Sequence, residues 1–292
     1  MLERVLGIIL PVFLIVAVGY GYGRRHRPDL TWLNRINVNV LAPALIFTAL
    51  SGKDFDLAQN GMLILGTIAI VLGSGLLAWP FAKLLDVNPR MLVPPVMFNN
   101  CGNIGLPLAA LAFGPAGLSA MVAAFTVSNL LHFTVGVWLV DHQAKLGGVL
   151  KSPMVIATFI GFAFSIFHPP LPDWLVLALK MIGDAMIPLM LLSLGVRLAD
   201  SSWSEWHVGA IGGVLCPLTG LAIAGLLTPL LGLGPMHEGL LIIFGALPPA
   251  VFNFMVAEQY RMEPAKVASI VLVGNLMALF FVPVAVTLAL RA

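Results

Sequence analysis

Charge is what this sequence has least of: Lys, Arg, Asp and Glu together make up 10% of its 292 residues. Soluble domains carry about a quarter, and a chain that is 60% hydrophobic has too little polar side chain to cover a water-facing surface. A water-soluble fold is excluded, and lipid is the solvent that fits. Cysteine is scarcer still. Cys101 and Cys216 each sit inside an apolar run, so no disulfide framework or metal-ligand spacing exists and both read as small core hydrophobes. The histidines form no cluster in sequence. No nucleophile–base pair stands at helical spacing, which argues against an enzyme, and no metal or cofactor is expected. A formal charge of +2 is too small to suggest a nucleic acid partner.

Glycine and proline, by contrast, are plentiful, with 29 and 21 copies. They break soluble helices but are tolerated in membrane helices. Windows of about 20 residues predict ten spans, near 4–23, 32–51, 61–82, 91–113, 117–140, 153–168, 174–198, 207–231, 237–260 and 266–290. The first is a membrane helix and not a removed leader. Its apolar run is long, no small-residue cleavage site follows, and Arg24, Arg25 and Arg27 come after it. Basic residues favour the cytoplasmic side. With both termini on the other side, the cytoplasmic connections and their flanks hold Arg24, Arg25, Arg27, Arg35, Lys83, Arg90, Lys145, Lys151, Arg197, Arg261 and Lys266, and the outside holds only Arg4, Lys53 and Arg291.

The chain also repeats itself. Val93-Pro94-Pro95-Val96-Met97-Phe98-Asn99 in the fourth span matches Leu247-Pro248-Pro249-Ala250-Val251-Phe252-Asn253 in the ninth. Asn129 and Asn275 match in the fifth and tenth, and Pro43 and Pro188 in the second and seventh. The matches keep their order, five spans apart. They predict two five-helix repeats, 1–140 and 153–292, joined by a cytoplasmic connection at 141–152. An odd number of spans inverts the second copy, and inverted repeats with matching interrupted spans mark secondary transporters. The expected fold class is an all-α membrane protein of ten transmembrane helices.

Proline removes a backbone donor and crowds the preceding turn, and in hydrocarbon the freed carbonyls need partners in protein or in a water-filled cavity. Spans four and nine are therefore expected to break at Pro94-Pro95, Pro107 and Pro248-Pro249 and to face a polar cavity. The fourth continues as Asn99-Asn100-Cys101-Gly102-Asn103-Ile104-Gly105-Leu106-Pro107. The candidate substrate ligands are Asn99, Asn100, Gly102, Asn103, Gly105, Asn253, Asn129 and Asn275. The competing reading is that these amides and glycines glue helices together. Broken helices present unpaired N–H groups and a positive dipole end, which with neutral amides suits a small organic anion held reversibly. Lys180 and Asp184, four apart on one helix face, are either a self-neutralising pair or an ion-coupling site. Glu258, near the cytoplasmic end of span nine, is interfacial or a coupling group. An anion channel or uncoupled facilitator is the alternative function, although nothing here resembles a ring-forming filter loop.

Asn100 through Leu108 resembles the Asn-x-Gly-x-x-Gly-x-Pro-Leu signature of the auxin efflux carrier family, and Ala246 through Tyr260 resembles that family's ninth span. The family includes plant auxin exporters and bacterial permeases for malonate or malate. The resemblance implies an elevator-type carrier, commonly a homodimer, here in a bacterial inner membrane. Spans three to five and eight to ten would form the moving transport domain, and spans one, two, six and seven the scaffold. Spans four and nine would cross at the substrate site, with Asn99 and Asn253 at the crossover and Asn100 meeting a substrate carboxylate. Cys101 stands where the family often has Thr, Asn103 where an apolar or aromatic residue is common, and the 141–152 connection is short. These departures leave open whether the anion is auxin-like or malonate-like, and whether protons or sodium drive it.

Overall fold

The computed structural model describes every residue except 54, 144–150 and 201–203, so Lys145 and most of the 141–152 connection lie outside the described residues. Among those described, the chain is helical with one isolated backbone bridge and no strand. The helices are α1 (Leu2–His26), α2 (Thr31–Ser51), α3 (Leu57–Leu84), α4 (Pro89–Met97), α5 (Cys101–Val140), α6 (Pro153–Phe167), α7 (Asp173–Ala199), α8 (Trp206–Leu231), α9 (Pro235–Gly245), α10 (Val251–Gln259) and α11 (Pro264–Ala289). Seven are long and apolar enough to cross a membrane: α1, α2, α3, α5, α7, α8 and α11.

Local chemistry sets the helix ends. Asp56 and Asn88 accept from the backbone N–H groups of Ala58 and Arg90, at 2.8 and 3.0 Å, and so cap α3 and α4. Prolines open α4, α6, α9 and α11, where their missing N–H would have had no helical partner. At 40 residues, α5 would run ~60 Å if straight, about twice the apolar thickness of a bilayer. It is interrupted at Gly114, whose φ of 68° and ψ of −157° are open essentially to glycine alone.

The helices pack in two groups. α1 lies mostly against α7, and α2 against α6 and α7, while α3 packs on α4 and α8, and α8 on α11. The α1–α7 contact is close: a Cβ on Gly195 would press on the backbone of Val16, Gly19 and Tyr20. Gly195→Leu is therefore expected to force the two helices apart and lower the melting temperature in detergent, since overpacking typically costs about 1–3 kcal/mol. Gly7→Leu is the control, because a Cβ at Gly7 meets nothing within 4 Å. Equal melting temperatures for the two variants would show that the contact is not tight. Leu2, Leu6, Leu10, Leu14 and Val18 form an exposed stripe along α1, as expected of a face turned to lipid.

Among the described residues, three π-helical turns interrupt the helices, at Asn37–Leu41, Cys101–Gly105 and His132–Gly136. The first two directly precede Ala42-Pro43 and Leu106-Pro107. A proline ring crowds the carbonyl four residues back, here Asn39 and Asn103, and a wider turn relieves that clash.

Candidate functional site

The first chain break does not fall on its proline pair. Pro94 and Pro95 lie inside α4, and the chain leaves the helix only at Phe98–Asn100. Proline's φ suits a helix, so the pair weakens the preceding turn without ending the helix. In the second break Pro248 and Pro249 do lie between α9 and α10. The two breaks meet as an antiparallel bridge at Asn99 and Pro249. Asn100 N–H donates to the Pro248 carbonyl at 2.7 Å, and Ala250 N–H to the Phe98 carbonyl at 2.9 Å. Each break thus supplies the hydrogen-bond partners the other lost, as an apolar environment demands. The backbone partner of Asn99 is Pro249, while the Asn253 side chain reaches the adjoining Phe98 carbonyl, so both asparagines of the aligned motifs stand at the crossing.

Side-chain amides satisfy the remaining carbonyls. Asn99 Nδ2 donates to Phe244 O at 2.6 Å. Asn253 Nδ2 donates to Phe98 O and Ala250 O at 2.9 and 3.0 Å. Asn275 Nδ2 reaches Pro249 O and Val271 O at 3.0 and 2.8 Å, and its Oδ1 accepts from Asn100 Nδ2 at 2.8 Å. The Cys216 thiol lies 3.5 Å from Leu247 O, a weak donor in a position that reads as plain core in the sequence. His132 is buried and stacks on Phe98, with ring centroids 4.2 Å apart and planes within 2°. Among the described residues, His132 Nε2 and Asn253 Oδ1 are each buried without a hydrogen-bond partner.

A cavity of about 380 Å³ opens beside this crossing. One wall comes from Asn99, Asn100, Gly102 and Asn103, with Phe125 and Asn129 of α5 and residues 250–252 and Met255 at α10. The facing wall comes from Thr31, Asn34, Arg35, Asn37, Val38 and Asn39 of α2 and Met190, Ser193, Leu194 and Arg197 of α7. Among the described residues, Asn99 Oδ1, Asn103 Oδ1 and Asn129 Nδ2 are buried without a hydrogen-bond partner. Unmet groups of this kind cost about 1–3 kcal/mol each, and a polar ligand or water in the cavity would satisfy them. A second cavity of about 430 Å³ shares Val38 and Asn129 with the first and is lined chiefly by apolar side chains such as Ile46, Phe133, Phe159 and Phe162.

The candidates named from sequence therefore divide. Asn99, Asn100, Gly102, Asn103 and Asn129 line the cavity, whereas Asn253 and Asn275 brace the crossing behind it. Gly105 lies in the π turn facing the Leu247 side chain, and Pro107 follows that turn. Lys180 and Asp184 form a 2.8 Å ion pair with side chains 62% and 52% exposed, and neither belongs to the wall of either cavity. Glu258 is exposed near the end of α10, where it acts electrostatically on Arg197. Asn37, Arg35 and Arg197 are among the cavity residues that sequence reasoning missed, the two arginines having been counted only as flanking charge. The signal was present in Asn34, Asn37 and Asn39, three amides crowded into the start of one apolar span.

Residues 4–147 and 137–286 match the family described as membrane transport protein. The chain is 26% identical to a candidate malonate transporter of Rhizobium meliloti (strain 1021), over 95% of this chain and 93% of that protein. It is 23% identical to an uncharacterized transporter of Methanocaldococcus jannaschii, over 94% and 96% of the two chains. The family match runs through nearly the whole sequence, and both relatives bear transporter names. The chain therefore belongs to the membrane transport protein family of the auxin efflux carrier type, and it is a membrane transporter, not an enzyme.

Proposed function

We propose that this protein is a secondary carrier that moves a small organic anion, a mono- or dicarboxylate, across the membrane by an elevator-type movement. The observation that carries the reading is the crossing of two broken helices beside an amide-lined cavity. Inverted repeats place substrate where such helices meet. The exchange of hydrogen bonds between Asn100 and Pro248 and between Ala250 and Phe98 joins one broken segment from each proposed copy of the repeat. In this reading there are ten crossings: α5 contributes two, divided at Gly114, and α4 and α9 pair with the segments that follow them. The packing of α1, α2, α6 and α7 among themselves supports their assignment as scaffold, with the other helices forming the moving domain. Exposed apolar faces such as that of α1 suit lipid and a second copy in a homodimer. The basic connections favour termini outside the cytoplasm, which cysteine labelling at positions 26 and 291 in intact cells tests: labelling at 26 but not at 291 reverses the orientation.

The direct test is counterflow. Proteoliposomes preloaded with unlabelled malonate are expected to accumulate labelled malonate with saturable kinetics. Conductance without counterflow would make the protein an anion channel, and no malonate movement or competition by other carboxylates would defeat the anion-carrier reading. Imposing proton or sodium gradients in the same vesicles assigns the coupling ion.

A further inference from the structure

We infer that Asn37 and Arg197 form a second anion subsite, on the wall facing the helix crossing, that takes the second negative group of a two-headed anion. The inference rests on the carrier reading above and adds a determinant of selectivity to it. Asn37 is 2% exposed and lines the cavity. Among the described residues, neither its Nδ2 nor its Oδ1 has a hydrogen-bond partner. A buried amide left in that condition is costly, and several other buried amides of this chain avoid having both ends unpaired. Asn60, for example, donates to Asp56 O at 2.7 Å and meets His237 Nε2 at 3.1 Å. Nothing fixes the orientation of the Asn37 carboxamide, so it can turn its NH₂ group toward an anion. It also opens one of the π-helical turns, a geometry that recurs at functional sites.

Arg197 supplies the charge. Met190, Ser193, Leu194 and Arg197 follow helical spacing and present one face of α7 to the cavity, and this helix packs directly on the Cys101–Gly105 turn. A guanidinium binds a carboxylate through two parallel N–H donors. Glu258 acts electrostatically on Arg197 from the opposite group of helices, so an arriving carboxylate shares the guanidinium's field with a negative side chain, which keeps binding reversible. A monocarboxylate held by the amides around Asn100 makes no use of Asn37 and Arg197. A dicarboxylate engages both walls at once. Because α2 and α7 belong to the proposed scaffold, the second contact forms only while the moving part faces them.

Competition against labelled malonate counterflow tests this, using unlabelled malonate, acetate and phenylacetate. Wild-type protein is expected to prefer malonate over both monocarboxylates by about tenfold or more, the effect of one charge-assisted hydrogen bond. Arg197→Gln and Asn37→Ala are each expected to reduce that preference about tenfold, and Arg197→Lys to retain most of it. The preference is a ratio within one variant, so a partial loss of folded protein leaves it unmoved. Equal competition by all three anions in wild type, or an unchanged preference in both Arg197→Gln and Asn37→Ala, overturns the subsite and leaves the carrier reading standing. Absence of counterflow and of competition by every anion overturns both.

Discussion

Replacing Asn100 by alanine is expected to weaken carboxylate binding about ten- to hundredfold, the loss of one hydrogen bond to a charged group. Asn100 lines the cavity and is held by Asn275 Oδ1 at 2.8 Å. That bond occupies one of its two N–H donors and leaves the other for a ligand. Asn275→Ala provides the contrast. Asn275 is outside the cavity wall and braces Pro249 O and Val271 O, so its loss should lower the melting temperature more than it weakens binding. The two variants are compared by counterflow competition and by thermal unfolding in detergent. If Asn100→Ala unfolds early while the folded fraction binds malonate normally, Asn100 is a brace and the contact belongs elsewhere on the wall.

The second large effect is expected at the crossing itself. Asn99 reaches from the first break to Phe244 O, and Asn253 reaches from the second helix pair back to Phe98 O. Leucine, similar in size to asparagine, removes either donor and leaves its carbonyl with fewer partners in an apolar setting. Asn99→Leu and Asn253→Leu are each expected to cost about 1–3 kcal/mol and to slow transport markedly. The double variant should cost less than the sum, with a coupling of about 0.5–3 kcal/mol, because both amides hold one crossing and the first loss already loosens it. Strict additivity in thermal unfolding and in transport rate would mean that the two amides act independently.

The repeated motif shows how far local pattern reached. Two copies of Pro-Pro-x-x-Phe-Asn mark the two places where helices stop, yet the prolines sit differently in each. In the first copy the prolines remain helical and the chain opens at Phe98–Asn100, whereas in the second they are themselves the opening. Whether a proline ends a helix depends on what the freed backbone can pair with, and here Asn99 pairs with Pro249. The amides were legible as a group but not by role. Asn100 and Asn275 are bonded to each other although 175 positions apart, and only one of them lines the cavity. Arg197 reads as one more basic flank in a count of loop charges, because its place in the wall of the cavity that Ser193 and Asn103 also line is a property of packing.

By itself the sequence determined the solvent, the helical class and the family, and it singled out the amides that gather at the helix crossing. Hydropathy, proline and the Asn100–Leu108 signature are properties of a chain read in one dimension, and lipid forces apolar backbone into helices wherever proline does not intervene. Only the tertiary structure decided which amides brace and which face the cavity, where the breaks pair, and that α2 and α7 close the opposite wall. A carboxamide's role follows from the group that lies about 3 Å from it, and at this crossing that group comes from the other half of the chain.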